Sequence, residues 1–365
     1  MDALRVAGAP GAGKSAAAWA IAQRFAADGH AMAYVDIDQL GMCYPAPAHD
    51  PDRWALKEEA LARVAGAFRY LGADRLVVSG VARPDASPPT LPGARASAVW
   101  LDADADTRRA RLAPRGWPAN QVEATVAAGT AAASRLDPAW RRIPTDAHTL
   151  DETVSAVLAV TDDASGRPPT VVERGAQQRD ETPPTPDPVD PPPLLPVRWI
   201  TGPRGAGASR IGWELASSAW REGRPTGFVD LAQLSFAANL GRPVGLRTLL
   251  AVRDVFAGAG AHELVVVAPF AITPQQVHAA LGAQARVARL DAPAPVLRAR
   301  IRDRVRGAGP LLAGDDLREA DEATVQAVAA TAERQRAVPP RAGEQLIDAA
   351  AEPAVVADRV RAALR

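Results

Sequence analysis

Short apolar runs alternate along this chain with alanine-rich stretches of helical period. Leu76 to Val78 and Ala98 to Leu101 are continuous apolar runs, the pattern of strands buried on both faces, and Leu4 to Ala7, apolar but for Arg5, reads as the strand before a glycine-rich turn. The stretch from Ser15 to Asp28 reads as a helix, and so does Leu56 to Tyr70, whose apolar positions fall at Leu61, Val64, Ala65 and Phe68 on one face. Strand and helix in alternation predict an α/β fold, a parallel sheet covered by helices on both faces.

The pattern then repeats. Leu4 to Gly8 has its counterpart in Val197 to Gly202, and the glycine frame Gly8-Ala-Pro-Gly-Ala-Gly-Lys-Ser15 in Gly202-Pro-Arg-Gly-Ala-Gly-Ala-Ser209. The separation from Gly8 to Asp36 equals that from Gly202 to Asp230. Further blocks match in order: Ala73 to Val78 with Ala261 to Val266, Leu101 to Ala103 with Leu290 to Ala292, Arg109 to Arg111 with Arg298 to Arg300, and Glu123 to Val126 with Glu322 to Val325. So long a period is that of whole domains, not of a solenoid. Between the copies lies a polar stretch from Asp162 that ends in the proline-rich segment Pro183 to Pro196, which reads as a linker. The expected organisation is a domain over 1–161, a linker over 162–196 and a second domain over 197–365. If the linker is only a tether, cleavage there should release two folded fragments.

Composition narrows the function. At 365 residues and 47% hydrophobic content there is material for two cores, and basic and acidic residues balance at 42 each, so no charge excess advertises a nucleic acid or a membrane surface. The chain opens without a basic-then-apolar leader, and no apolar run has the length of a membrane span, which predicts a soluble cytoplasmic protein. Cys43 is the single cysteine, expected to be a small packing residue, and the five histidines show no metal-ligand spacing. Lys14 and Lys57 are the only lysines, leaving 40 arginines among 42 basic residues. Where arginine has displaced lysine nearly everywhere, a lysine that persists attracts attention.

Gly8, Gly13, Lys14 and Ser15 satisfy G-x-x-x-x-G-K-[ST] between a strand and a helix, a match expected by chance in roughly one chain in a thousand of this composition. Gly8, Pro10, Gly11, Ala12, Gly13, Lys14, Ser15 and Ala16 would form the cradle, with successive N–H groups facing the phosphates of ATP, Lys14 reaching the β/γ-phosphates and Ser15 ligating Mg²⁺. The second copy carries Ala208 where the first has Lys14, and Arg210, one residue on and about 100° round the helix, does not replace it. The second copy is therefore expected to be catalytically silent.

With Asp36-x-Asp38 after the second strand, Ser79-Gly80 ending the third and an arginine-rich segment after Leu101-Asp-Ala103, the first copy resembles the small P-loop kinases of the adenylylsulfate, gluconate and shikimate kinase type. The stretch Val35 to Pro45 is also similar to that of poorly characterised actinobacterial ATP-binding proteins. The resemblance implies two tandem P-loop NTPase domains. It implies that Asp36 organises Mg²⁺ or takes the proton of an attacking hydroxyl, and that Asp38 holds an acceptor hydroxyl. It also implies that Arg108, Arg109, Arg111 and Arg115 form a lid over ATP. Capping of the next turn at Gln39 or Leu40 is the competing role for Asp36 and Asp38, and a solvated helix face for each arginine. Lys57 reads as a substrate contact or, by the stronger expectation, as a surface lysine. In the second copy Ala232 replaces Asp38, while arginines persist at 298, 300, 302, 304 and 306. The function implied is phosphoryl transfer to an unidentified small hydroxylated acceptor, with nucleotide-dependent action on a protein partner as the alternative, and with contact between the two domains.

Overall fold

A computed structural model describes residues 1–165, 195–309, 313–318 and 320–365. In chain order the first half contains β1 (Asp2–Gly8), α1 (Lys14–Ala27), β2 (Met32–Asp36), β3 (Cys43–Tyr44), α2 (Trp54–Tyr70), β4 (Arg75–Ser79), β5 (Arg95–Asp102), α3 (Ala105–Leu112), α4 (Ala119–Ala133), β6 (Arg141–Pro144) and α5 (Leu150–Ser165). The second half contains β7 (Val197–Thr201), α6 (Ala208–Arg221), β8 (Thr226–Asp230), β9 (Ala237–Ala238), α7 (Gly245–Gly258), β10 (Glu263–Val267), α8 (Pro274–Leu281), β11 (Arg286–Asp291), α9 (Ala294–Val305), α10 (Glu322–Ala337), β12 (Glu344–Asp348) and α11 (Pro353–Ala363). Each strand and helix anticipated from the apolar pattern falls on one of these elements, the first helix ending at Ala27 with Asp28 as its C-cap.

The strands form two six-stranded sheets, ordered β6-β5-β1-β4-β2-β9 and β12-β11-β7-β10-β8-β3. All pairings are parallel except the last of each sheet. Helices cover both faces, which is why central strands such as β1 and β4 are buried along almost their whole length. The repetition seen in the sequence is thus a repetition of strand order. Among the described residues, no helix is long and apolar enough to cross a membrane.

What the periodicity did not foresee is an exchange. β3, from the first half, pairs antiparallel with β8 in the second sheet, and β9, from the second half, pairs antiparallel with β2 in the first. The Tyr34 N–H donates to Phe236 O at 2.9 Å and, reciprocally, the Phe228 N–H to Met42 O at 2.8 Å. An open β2 or β8 edge would leave a row of unpaired backbone groups, and each arm covers the edge of the other half. Aromatic rings hold the arms down: Phe236 sits 4.7 Å from Trp19, and Tyr44 sits 4.8 Å from Trp220. Asn239 adds side-chain bonds to Ala26 O and His30 O at 3.0 and 2.9 Å.

The cores follow the same plan. One apolar cluster joins Leu61, Val64 and Phe68 of α2 to Leu249, Val252 and Phe256 of α7, where the two helices pack, and so runs through both halves. Arg247 stacks over the Tyr70 ring at 3.7 Å along this contact. The halves therefore share a core. The linker boundaries also shift. α5 extends to Ser165, past the anticipated end at 161, and Leu195 is buried in the shared cluster. The rest of the anticipated linker, 166–194, lies outside the described residues. Cys43 is buried as expected, but in the crossing arm.

Candidate functional site

The site forms where β1, β2 and β4 of the first sheet end. β1 runs into the glycine loop and then α1. A Cβ on Gly8 would come within 2.3 Å of Leu101 O on the neighbouring strand, so only glycine lets the chain turn there. Gly13, in the left-handed conformation at φ 90°, caps α1 without any side-chain bond, leaving the helix's first N–H groups free for an anion. Gly13, Ser15 and Ala16 are exposed, and among the described residues no hydrogen bond occupies the Ser15 hydroxyl.

Lys14 folds back over the loop and donates from Nζ to Ala9 O at 3.0 Å. Crowding around it pushes its pKa down to about 8, desolvation outweighing the opposing pull of Asp38 and Asp36, and the nearby Arg115 guanidinium pushing the same way. At the end of β2, Asp36 Oδ1 accepts the Asp38 N–H at 2.9 Å. Burial, helped by the charge of Asp38, lifts the Asp36 pKa to about 6 against the counter-effects of that hydrogen bond and of Lys14. Gly80, after β4 and at φ 129°, makes room for this turn, since a Cβ there would lie 2.7 Å from Ile37 Cγ2 and 3.2 Å from Asp36 Oδ1. Ser79 and Tyr34 share a hydrogen bond of 2.8 Å beneath it, and burial pushes the Tyr34 pKa up.

These shifts have a testable sign. Between 3.8 and about 6 the folded protein holds a proton at Asp36 that the unfolded chain has lost, so stability falls as pH rises through that window. Between about 8 and 10.5 the unfolded chain holds the Lys14 proton and the folded one has lost it, so stability rises with pH there. At neutral pH both charged groups are held at a cost in stability. Asp36→Asn should therefore raise the thermal midpoint of the ligand-free protein at pH 7, with the gain vanishing near pH 4; thermal scans across that range that show no pH-dependent gain would refute the assignment.

The arginines divide. Arg111 is braced against the loop, its guanidinium donating to Thr145 Oγ1 and O at 3.0 and 2.9 Å and to Gly11 O at 3.4 Å. Arg115 is exposed beside the Trp117 ring, with its charge felt at Lys14. Arg108 is no lid residue: only 2% exposed, it donates to Ala103 O, Val126 O and Thr130 Oγ1, joining α3 to α4. Arg109 turns outward to Asp106 and Glu123. Helix rotation places these neighbours on different faces. Asp38 makes no side-chain cap to the short 3-10 turn Gln39–Gly41, so the capping role falls away. Lys57 is not a surface lysine either: it is 6% exposed, and its Nζ donates to Asp38 Oδ1 at 2.8 Å. Its rarity was the only signal in the sequence.

The corresponding place in the second half is closed on itself. Ser209 Oγ donates to Asp230 Oδ2 at 2.9 Å, and Arg204, at the tip of the second glycine loop, is ion-paired with Asp316. Arg300 repeats the brace of Arg111, donating to Ala206 O and Ala349 O at 3.1 and 2.9 Å. Arg298, Arg304 and Arg306 pair with Glu333, Asp315 and Asp303. The persistence of these arginines thus has a structural account. Two hollows, of about 260 Å³ beside His278 and Glu344 and about 110 Å³ beside Arg5 and Leu91, lie away from the glycine loop and its charges.

No family model matches the chain, and no curated protein matches it. Among solved structures it is similar to an unliganded sugar kinase from Janibacter sp. HTCC2649, at 20% identity and a TM-score of 0.33, over 44% of this chain and 95% of that one. A likeness at that level carries no conclusion about substrate.

Proposed function

We propose that the chain is a tandem P-loop kinase-like protein whose first half uses ATP and Mg²⁺ to phosphorylate a small hydroxylated acceptor, and whose second half is catalytically silent. The observation that carries this is the convergence of Lys14 with Asp36 and Asp38 on an open glycine cradle in one half, against Ala208, Ala232 and an internally bonded Ser209–Asp230 pair in the other.

The residues present fit the nucleotide and the ion. A left-handed, uncapped Gly13 leaves N–H donors for phosphate oxygens. Among the described residues no group of three or more His, Cys, Asp or Glu could hold a metal, but a hydroxyl and one carboxylate beside phosphate are the hard oxygen donors that Mg²⁺ takes. Ser15 and Asp36 would hold it, and it would neutralise phosphate charge during transfer. Lys14 brings an ammonium to the same phosphates, and Asp38 accepts a hydrogen bond from the acceptor hydroxyl. Arg111 and Arg115 add positive charge at the rim. Phosphoryl transfer asks for this kind of positioning and charge neutralisation more than for covalent help.

Incubating the full chain with Mg²⁺, γ-labelled ATP and a metabolite extract should yield a labelled small molecule, to be identified by mass spectrometry. No labelled product above the enzyme-free control would refute the kinase reading. A second reading, a nucleotide-dependent switch acting on a protein partner, draws support from β9, which ties the second half to the strand carrying Asp36; ADP release stimulated by a protein and by no metabolite would favour it. The silent half also makes a prediction. Ala208→Lys should not create a second site, because Asp38's counterpart is still missing and Arg204 remains paired with Asp316. Calorimetry should find one nucleotide per chain in wild type and variant alike; a second of comparable affinity would overturn the assignment.

A further inference from the structure

We propose that Lys57 is a positioning residue of the acceptor side, holding the Asp38 carboxylate in the orientation in which it receives the acceptor hydroxyl; this rests on the phosphoryl-transfer reading. Lys57 lies on α2 and its ammonium reaches Asp38 Oδ1 at 2.8 Å. Its stem crosses Gly41 so closely that a Cβ there would lie 2.5 Å from Lys57 Cε and 2.8 Å from Cγ. The ammonium also stands 5.1 Å from the Trp54 ring. A buried charge is a poor way to pack a helix that already has Leu56, Leu61 and Val64 inside, because desolvating an ammonium offsets what the ion pair gains. Its use here is geometric. With Oδ1 engaged by Lys57, Oδ2 is left facing the Gly80 side, where a Cβ on that glycine would come within 3.5 Å of it.

The second half supplies an independent observation. Aligning Ala73–Val78 with Ala261–Val266 places Gly245 at the position of Lys57, and aligning Asp36 with Asp230 places Ala232 at Asp38 and Ser235 at Gly41. A Cβ on Gly245 would lie 2.8 Å from Ser235 Oγ, so the same crossing of helix and arm is made with the bulk reversed. α7 packs on β8 of its own half without such an ion pair. The second half thus makes the corresponding crossing without an ion pair. The pair is absent as a unit, in the half that also lacks the counterpart of Lys14.

The test measures three quantities on full-length wild type, Lys57→Met, Gly41→Ala, Asp38→Asn and the Lys57→Met/Asp38→Asn double variant. These are Mg²⁺·ATP affinity, thermal midpoint and transfer of label from γ-labelled ATP into the metabolite extract. Lys57→Met and Gly41→Ala should each lose about tenfold or more in transfer while nucleotide affinity and midpoint stay near wild type, a split that a merely structural role would not produce. The double variant should lose no more than the worse single, because the two residues act as one unit. Wild-type transfer by a folded Lys57→Met, or losses that multiply in the double variant, would overturn the proposal. Should Lys57→Met fail to fold, Gly41→Ala decides alone, since it displaces the stem and leaves the charge in place; wild-type transfer by that variant overturns it equally. Absence of labelled product with the wild type sinks the kinase reading and this proposal with it, which separates that failure from the others.

Discussion

Replacing Lys14 with methionine should reduce phosphoryl transfer by about 100- to 1,000-fold, the usual cost of removing one preorganised positive group from a site where negative charge develops. The fold should survive, because the ammonium is held against desolvation and its removal relieves that cost. Activity and stability are thus expected to move in opposite directions, and measuring both separates a site residue from a structural one. Lys14→Arg should fail as well. The Nζ occupies a compact place beside Ala9 O, and a planar guanidinium cannot fit that space with the same contact. Because the Lys14 pKa is pushed down to about 8, the free protein's affinity for Mg²⁺·ATP should fall as pH rises through that value. Wild-type transfer rates in Lys14→Met would remove this residue from the chemistry.

Residues 1–165 alone should not form a stable monomer. Removing the second half strips β9 from the β2 edge and α7 from α2, and opens the apolar cluster that runs through both halves. At about 1.5–3 kcal/mol per large apolar side chain, uncovering three of them costs about 5–9 kcal/mol, comparable with the whole stability of an ordinary domain. A fall of more than about 10 °C in the thermal midpoint, or loss of a cooperative transition, is the expected result by circular dichroism. Residues 195–365 alone should suffer reciprocally, losing β3 from the β8 edge. Cutting the intact chain between 166 and 194 should instead leave the halves associated on a sizing column. A stable, monomeric 1–165 fragment with the nucleotide affinity of the full chain would show that the second half does not support the first.

The two predictions concern different kinds of information. The glycine loop, its lysine and Asp36 lie on consecutive elements of one half, and their chemistry follows from local geometry: a strand, a turn that requires glycine, a helix N-terminus. Such features are written in short stretches of sequence, as are the buried parallel strands with their continuous apolar runs and the repeated order of blocks that foretold the repeated strand order. Ala208 and Ala232 could likewise be seen as losses by alignment of one half on the other.

Other features depend on what meets across the fold. Arg108, Arg109 and Arg111 are neighbours in the chain with indistinguishable composition, and only the rotation of α3 against α4 and the loop sends the first inward, the second outward and the third to Thr145. Lys57 reaches Asp38 because an arm doubles back beneath α2 at Gly41, a meeting that no spacing rule announces. The exchanged strands Cys43–Tyr44 and Ala237–Ala238 are two residues each, too short for any apolar period to register. The sequence by itself determined the individual buried strands and helices, the glycine loop and the inequality of the halves, because each is written in short stretches of residues. The tertiary structure alone decided which edge each arm would cover, how α2 and α7 would close one core, and which buried cation would face Asp38, because those depend on free energies of burial and pairing between segments that sequence order keeps apart.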